Sequence, residues 1–133
     1  MSSLYQAIIL DHAKNPRNRG ELPGATHRGT ADNLSCGDRL SMEILVESGT
    51  IRDIRFDGAG CAISQASASL LTEEIKGGTI DEALALDRDD ILRLLGVTLT
   101  PNRLKCALLS LETLQKTLLE NGQGSGNDET AVS

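Results

Sequence analysis

Tryptophan is absent from this 133-residue chain, and its aromatic residues amount to one tyrosine and one phenylalanine, Tyr5 and Phe56. Its core must therefore be built from Leu, Ile, Val and Ala, and the length suits one domain better than two. No apolar run reaches the roughly 20 residues of a membrane-spanning helix. The N-terminus lacks the basic, apolar and small-residue layout of a signal peptide. These two absences predict a cytoplasmic protein with no membrane partner. There is no excess of basic charge either: the net charge is −6, which argues against a general binder of nucleic acid or anionic membrane. No internal repeat is present, and no C-x₂-C pair, so a compact zinc knuckle is excluded. Cysteine itself is scarce. Three residues, Cys36, Cys61 and Cys106, make an odd set without an export signal, which points to reduced thiols used for metal binding or reactivity rather than to a disulfide frame.

What is present is a regular succession of element signals. Leu4, Ile8 and Asp11-His12 are spaced by one turn and predict a helix over 4–13, closed by Asn15-Pro16 because proline disfavours helical backbone at the residue before it. His12 reads as a packing histidine of that helix. From Lys14 to Arg28 the chain is loop-like and locally basic through Lys14, Arg17, Arg19 and Arg28. Those charges either solvate the loop or dock an acidic partner. Thr26–Asp32 is a strand candidate, and Asn33–Asp38 a turn. Leu40, Met42, Ile44 and Val46 then alternate with Arg39, Ser41, Glu43 and Glu47, the pattern of a strand with one buried and one wet face. Ser48-Gly49 turns the chain into a partner strand over Thr50–Asp57, carrying Ile54 and Phe56 on one side. Three such strands predict an antiparallel sheet with one solvated face.

After Cys61 a helix is predicted to about Lys76, with Ile63, Ala66, Leu70 and Leu71 as its apolar stripe and Gly77-Gly78 as its stop. Thr79–Glu82 is a capping box opening a short helix through Leu86. Asp87 caps the next helix, to Leu95, and Gly96 ends it. Thr100-Pro101 opens the last helix, which runs to about Glu120. Its stripe of Leu104, Ala107, Leu108, Leu111, Leu114 and Leu118 leaves Cys106 well off the centre, so Cys106 is expected away from the main core face. There it is either an idle thiol or part of a second environment shared with the other cysteines. Residues 1–120 form the predicted domain. Asn121–Ser133, rich in Gly, Ser, Asn and Asp, read as a disordered tail.

Each cysteine sits beside a break in the chain. Cys36 lies in a glycine turn with Asp38 two residues on; Cys61 follows Gly58-Ala59-Gly60 at the mouth of a helix, a setting that suits a thiolate; Cys106 lies near a helix start between Arg103 and Lys105. A site drawing on all of them must be assembled by the fold. Three thiolates and a carboxylate suit tetrahedral Zn²⁺, and would equally hold a small iron–sulfur cluster with one oxygen ligand. The hard carboxylate makes one corner easier to exchange. Arg103 and Lys105 would offset part of the negative charge.

Asn33-Leu34-Ser35-Cys36-Gly37-Asp38, the run from Gly58 to Ser67 and Arg103-Leu104-Lys105-Cys106-Ala107 resemble the three cysteine motifs of the IscU/SufU/NifU N-terminal family of iron–sulfur cluster assembly scaffolds. Leu4-Tyr5 through His12 and Asn15-Pro16-Arg17-Asn18 are similar to that family too, particularly its SufU branch, and the likeness spans about residues 3–120. It implies an α+β fold, a small three-stranded antiparallel sheet covered by helices on one face. It also implies a site of Cys36, Asp38, Cys61 and Cys106 that binds zinc or a transient [2Fe-2S] cluster, with Cys36 and Cys106 as candidate sulfur acceptors. Sulfur would come from a cysteine desulfurase, and the cluster would pass to acceptor or carrier proteins. Three functions follow as candidates: a cluster scaffold, a zinc-dependent sulfurtransferase, or a structural zinc domain. The chain departs from the family in several places. Leu34 replaces the usual proline, and Lys105 stands where IscU proteins carry histidine. Leu99-Thr100-Pro101-Asn102-Arg103 replaces the Leu-Pro-Pro-Val-Lys motif, which speaks against recognition by the dedicated Hsp70-type chaperone. The spacing between Cys61 and Cys106 is too short for the SufU insertion.

Overall fold

Alternation of side chains along one strand sets the architecture. In the computed structural model, which describes residues 2–33 and 37–121 and the side chains of 6–33 and 37–120, the strand Asp38–Glu47 (β2) buries Leu40, Met42 and Ile44 and leaves Arg39 exposed. It is the middle strand of an antiparallel sheet, flanked by β1 (His27–Asn33) and β3 (Thr50–Ala59) in the order β1-β2-β3. Among the described residues five helices accompany the sheet: α1 (Ser2–Lys14) before it, then α2 (Ala62–Ile75), α3 (Ile80–Ala85), α4 (Arg88–Leu95) and α5 (Pro101–Asn121) after it. Strands grouped in sequence and followed by helices give the α+β class.

The alternation fails at one point, for a geometric reason. Val46 was expected to be as buried as Ile44, but it is only half-buried. The register between β2 and β3 shifts there: Leu45 pairs with Asp53 while Val46 pairs with Ile51, so Arg52 is the extra residue of a bulge. A bulge flips the parity of the bulged strand. That is why Ile51, Ile54 and Phe56 can all point inward and be fully buried, although Ile51 has the opposite parity from the other two.

Helices α2 and α5 lie against the inner face, α5 across β1 and β2 and α2 beside β3, while α1 packs on the far side of α2. Helix α2 therefore has neighbours on most sides. Its buried set, Ile63 to Ser69 with Leu71, Thr72 and Ile75, is wider than the predicted stripe, and Leu70 is only half-buried. Small side chains make that possible, with their hydroxyls satisfied: Ser67 donates towards the Ala107 carbonyl (3.0 Å) and the Ser110 hydroxyl (3.1 Å) of α5.

On α5 the expectation for Cys106 needs correction. Cys106 is 4% exposed and belongs to the hydrophobic core. The helix buries two adjacent stripes, not one: Ala107, Leu111, Leu114 and Leu118 as expected, and Cys106, Ser110, Thr113 and Thr117 beside them. The second stripe is made of small polar residues, so an apolar count overlooks it. Against β1 it packs closely enough that a Cβ on Gly29 would lie 3.2 Å from the Thr117 backbone.

The cap signals are realised. Thr79 and Glu82 form a reciprocal capping box on α3, Asp87 and Asp90 form one on α4, and Gly96 closes α4 in the left-handed conformation at φ 70°. Thr100 accepts the amide of Arg103 at the start of α5. The predicted tail begins where α5 ends, at Asn121, and beyond that point lies outside the described residues.

Candidate metal centre

Asp38 opens β2, Cys61 stands immediately before α2, and Cys106 lies in the second turn of α5. Their ligand atoms lie within 4.8 Å of one another. Donors bound about 2.0–2.3 Å from a tetrahedral ion lie roughly 3.5–3.8 Å apart. The group is therefore a small side-chain adjustment from bonding distance, and the Cys61 sulfur is already 3.7 Å from Oδ2 of Asp38. Two soft sulfurs and one hard oxygen converge from three separate elements, a donor set that fits zinc or an iron–sulfur cluster. The sequence expects Cys36 as the fourth member; that residue lies outside the described residues.

The end of β3 and the turn that follows it explain why glycine is needed twice. Gly58 adopts φ 141°, and a Cβ there would run into the Arg39 carbonyl of β2. At Gly60 the constraint comes from the site itself: an added Cβ would sit 2.7 Å from Oδ1 of Asp38 and collide with the Ser64 hydroxyl. Asp38, 3% exposed, occupies the space that the missing side chain leaves. Cys61 is the N-cap residue of α2, with extended backbone (φ −73°, ψ 171°) and no side-chain cap bond. Its amide instead donates to Oδ1 of Asp38 at 3.1 Å. A carboxylate from a distant strand thus orders a helix start, where backbone donors would otherwise be unpaired.

Burial differs between the two thiols: Cys61 is half-exposed and Cys106 is buried. Arg103 and Lys105, on either side of Leu104, are exposed and form no ion pair among the described residues. Their charge is available to a bound anion or an acidic surface near Cys106.

His12 is outside this group. It is buried between α1 and α2, its Nδ1 2.7 Å from the Ser69 hydroxyl, which also accepts the Arg17 amide at 2.9 Å. Burial, with Arg17 adding to it, holds its ring below the ordinary histidine range. It packs, as the sequence suggests. The basic loop resolves differently from either expectation for three of its four cations. Arg17 pairs with Asp11 at 2.7 Å, Arg19 with Asp57 at 3.2 Å and Arg28 with Glu43 at 3.9 Å, so these charges are matched within the chain. Lys14 is exposed.

Sequence reasoning missed Arg19, Gln65 and Ser64 as parts of the site's frame. The Ser64 hydroxyl donates to the Cys61 carbonyl at 3.0 Å, and a Ser three residues after an N-cap is a weak signal of this. Nothing in the sequence links Arg19 to the turn before Cys61. Among the described residues no helix is long and apolar enough to cross a membrane.

Comparison with known proteins identifies the family. The family model described as NifU-like N terminal domain matches residues 4–123. The zinc-dependent sulfurtransferase SufU of Bacillus subtilis is 36% identical, across 94% of this chain and 96% of its own. The iron–sulfur cluster assembly scaffold protein IscU of Thermotoga maritima is 37% identical, across 86% of this chain and 92% of its own. Among solved structures, one described as an iron–sulfur cluster assembly scaffold for the SUF system of Fervidobacterium islandicum superposes with a TM-score of 0.75 at 31% identity, covering 84% of this chain and 93% of that one. With the family model matching most of its length and relatives aligned nearly end to end, this chain belongs to the NifU-like N-terminal domain family, the family of IscU and SufU.

Proposed function

We propose that this chain is an iron–sulfur cluster assembly scaffold, carried by the domain of residues 1–120. In this reading it takes sulfur from a cysteine desulfurase, assembles a transient [2Fe-2S] cluster as its cargo on Cys36, Asp38, Cys61 and Cys106, and hands the cluster to acceptor proteins. The observation that supports it most is the convergence of Asp38, Cys61 and Cys106 within 4.8 Å from three separate elements. Cys36 or Cys106 takes the sulfur: its thiolate attacks the outer sulfur of the donor's persulfide, that sulfur becomes the outer sulfur of a persulfide on the acceptor cysteine, and the donor cysteine leaves as a thiolate. Cys106 is 4% exposed, so delivery there requires the donor to open that corner. Asp38 holds the start of α2 through the Cys61 amide and supplies the hard, exchangeable corner. The test is anaerobic incubation with ferrous iron, cysteine, a desulfurase and a thiol reductant, which supplies the electrons that turn persulfide sulfur into the sulfide of the cluster. Appearance of cluster absorption bound to the chain supports the proposal, and its absence counts against it.

A second reading is favoured by Lys105, which stands where a scaffold of the IscU type carries histidine, and by the end-to-end similarity to the Bacillus subtilis sulfurtransferase. In that reading Zn²⁺ rests on the same four residues and holds the thiols ionised until one of them is needed as a nucleophile. Elemental analysis of the protein as purified separates the two: stoichiometric zinc together with stimulation of the desulfurase favours sulfur transfer, and iron with acid-labile sulfide favours the scaffold.

A further inference from the structure

The turn that carries Cys61 is held from outside the ligand set. Arg19, on the loop after α1, reaches across it with three donors. Nε donates to Oδ1 of Asp57 at 3.3 Å, Nη2 to the Gly58 carbonyl at 2.9 Å, and Nη1 to Oε1 of Gln65 at 3.0 Å. Asp57 and Gly58 precede Cys61, and Gln65 follows it on the first turn of α2. The backbone amide of the buried Gln65 donates to the Cys61 carbonyl at 3.1 Å, and the Gly58 amide donates to Oδ1 of Asp57 at 2.8 Å. Arg19 is itself anchored, because its neighbours exchange backbone bonds with β3: Gly20 donates to the Phe56 carbonyl and the Phe56 amide donates to Asn18, both at 2.9 Å.

We infer that Arg19 is a positioning residue for the candidate centre, one planar guanidinium clamping both sides of the turn that presents Cys61. The inference rests on the metal-centre reading above and adds a residue outside its ligands. Its physical basis is redundancy. Without Arg19 the main polar tie between Cys61 and the sheet is the bond from its amide to Asp38, and Asp38 is the corner expected to exchange. With Arg19 in place the turn keeps its shape while the carboxylate lets go. Lysine cannot substitute, since a single ammonium does not span three acceptors arranged as a fork.

The test compares Arg19→Gln, Arg19→Lys and a control, Arg52→Gln, which removes an exposed ion pair to Glu47 on the β2–β3 hairpin. Two quantities are read: zinc release to a chelator from the loaded chain, and amide hydrogen exchange at Cys61 and Gln65 in the metal-free chain. Arg19→Gln is expected to release zinc about tenfold faster, the effect typical of losing support around a metal ligand. It should also speed exchange at both amides while the melting temperature stays within a few degrees of the unaltered chain. Arg19→Lys behaves like Arg19→Gln, and Arg52→Gln changes neither quantity. Unchanged release and exchange in Arg19→Gln, or full rescue by lysine, overturns the inference. If the unaltered chain takes up neither zinc nor a reconstituted cluster, the metal-centre reading fails by itself, and the exchange rates still decide the role of Arg19.

Discussion

The Cys61 amide donates to one oxygen of Asp38 at 3.1 Å while the Cys61 sulfur stands 3.7 Å from the other. One carboxylate therefore serves both as a support for the helix start and as a candidate ligand. The two uses come apart on substitution. Asp38→Asn keeps an acceptor for the amide and loses the anion; Asp38→Ala loses both. Asn should leave unfolding free energy nearly unchanged and weaken zinc retention at least about tenfold, about 1.4 kcal/mol. Ala should weaken retention similarly and cost a further 1–2 kcal/mol or so of stability through the unpaired amide. Chelator competition and denaturant titration measure the two effects. A purely structural zinc domain predicts the stability loss without a change in metal exchange.

Gly60 is the complementary test, because it leaves the ligands untouched. In Gly60→Ala the new methyl occupies the space of the Asp38 carboxylate and the Ser64 hydroxyl. Overpacking of this kind costs about 1–3 kcal/mol, and here the displaced group is a candidate ligand. Stability and metal content should fall together, read by thermal melting and elemental analysis. A chain that keeps its metal with alanine at this position would show that Asp38 is not held as described.

Ser67 ties α2 to the turn of α5 that carries Cys106, through the Ala107 carbonyl and Ser110. Ser67→Ala should destabilise the fold by about 1–2 kcal/mol, the cost of a lost buried hydrogen bond. Ser110 still donates to Ala107 in that variant, so the helix pair stays docked and metal uptake persists. Equilibrium denaturation gives the first quantity and zinc titration the second.

Stability should also fall on mild acidification, for reasons remote from the candidate centre. His12 and His27 are both held below the ordinary histidine range, chiefly by burial. Their folded forms therefore bind protons less readily than the unfolded chain. The contribution of the neutral rings is complete above the unfolded value of about 6.5 and is lost as the pH drops from there through the lowered folded values. Denaturation midpoints measured from pH 8 to pH 5 should decline below about 6.5, and the double variant His12→Gln/His27→Gln should flatten that slope. An unchanged slope would place its origin elsewhere.

Much of this molecule is legible in its sequence where the code is local. The alternation of β2, the two capping boxes, the stop at Gly96 and the break at Asn15-Pro16 each depend on neighbours within a few residues, and the structure has them all. Non-local geometry is where reading fails. Val46 is displaced by a bulge whose extra residue, Arg52, lies on the partner strand. Cys106 joins the core because α5 lies against both β1 and α2, which gives it a second buried stripe of Ser and Thr that no count of leucines reveals. The residue types Asp38, Cys61 and Cys106 were legible and their convergence was what the family resemblance implied, whereas the clamp by Arg19 was not legible, since its partners lie 38 to 46 positions away.

The central claim is that one ion or cluster is held by sulfur from Cys36, Cys61 and Cys106 and oxygen from Asp38. X-ray absorption at the zinc edge of the stoichiometrically loaded chain tests it most directly. The account predicts three sulfur neighbours at about 2.3 Å and one oxygen at about 2.0 Å, with one sulfur lost in each single Cys→Ser variant. A shell of nitrogen and oxygen alone, or one unaltered by those three substitutions, would contradict it.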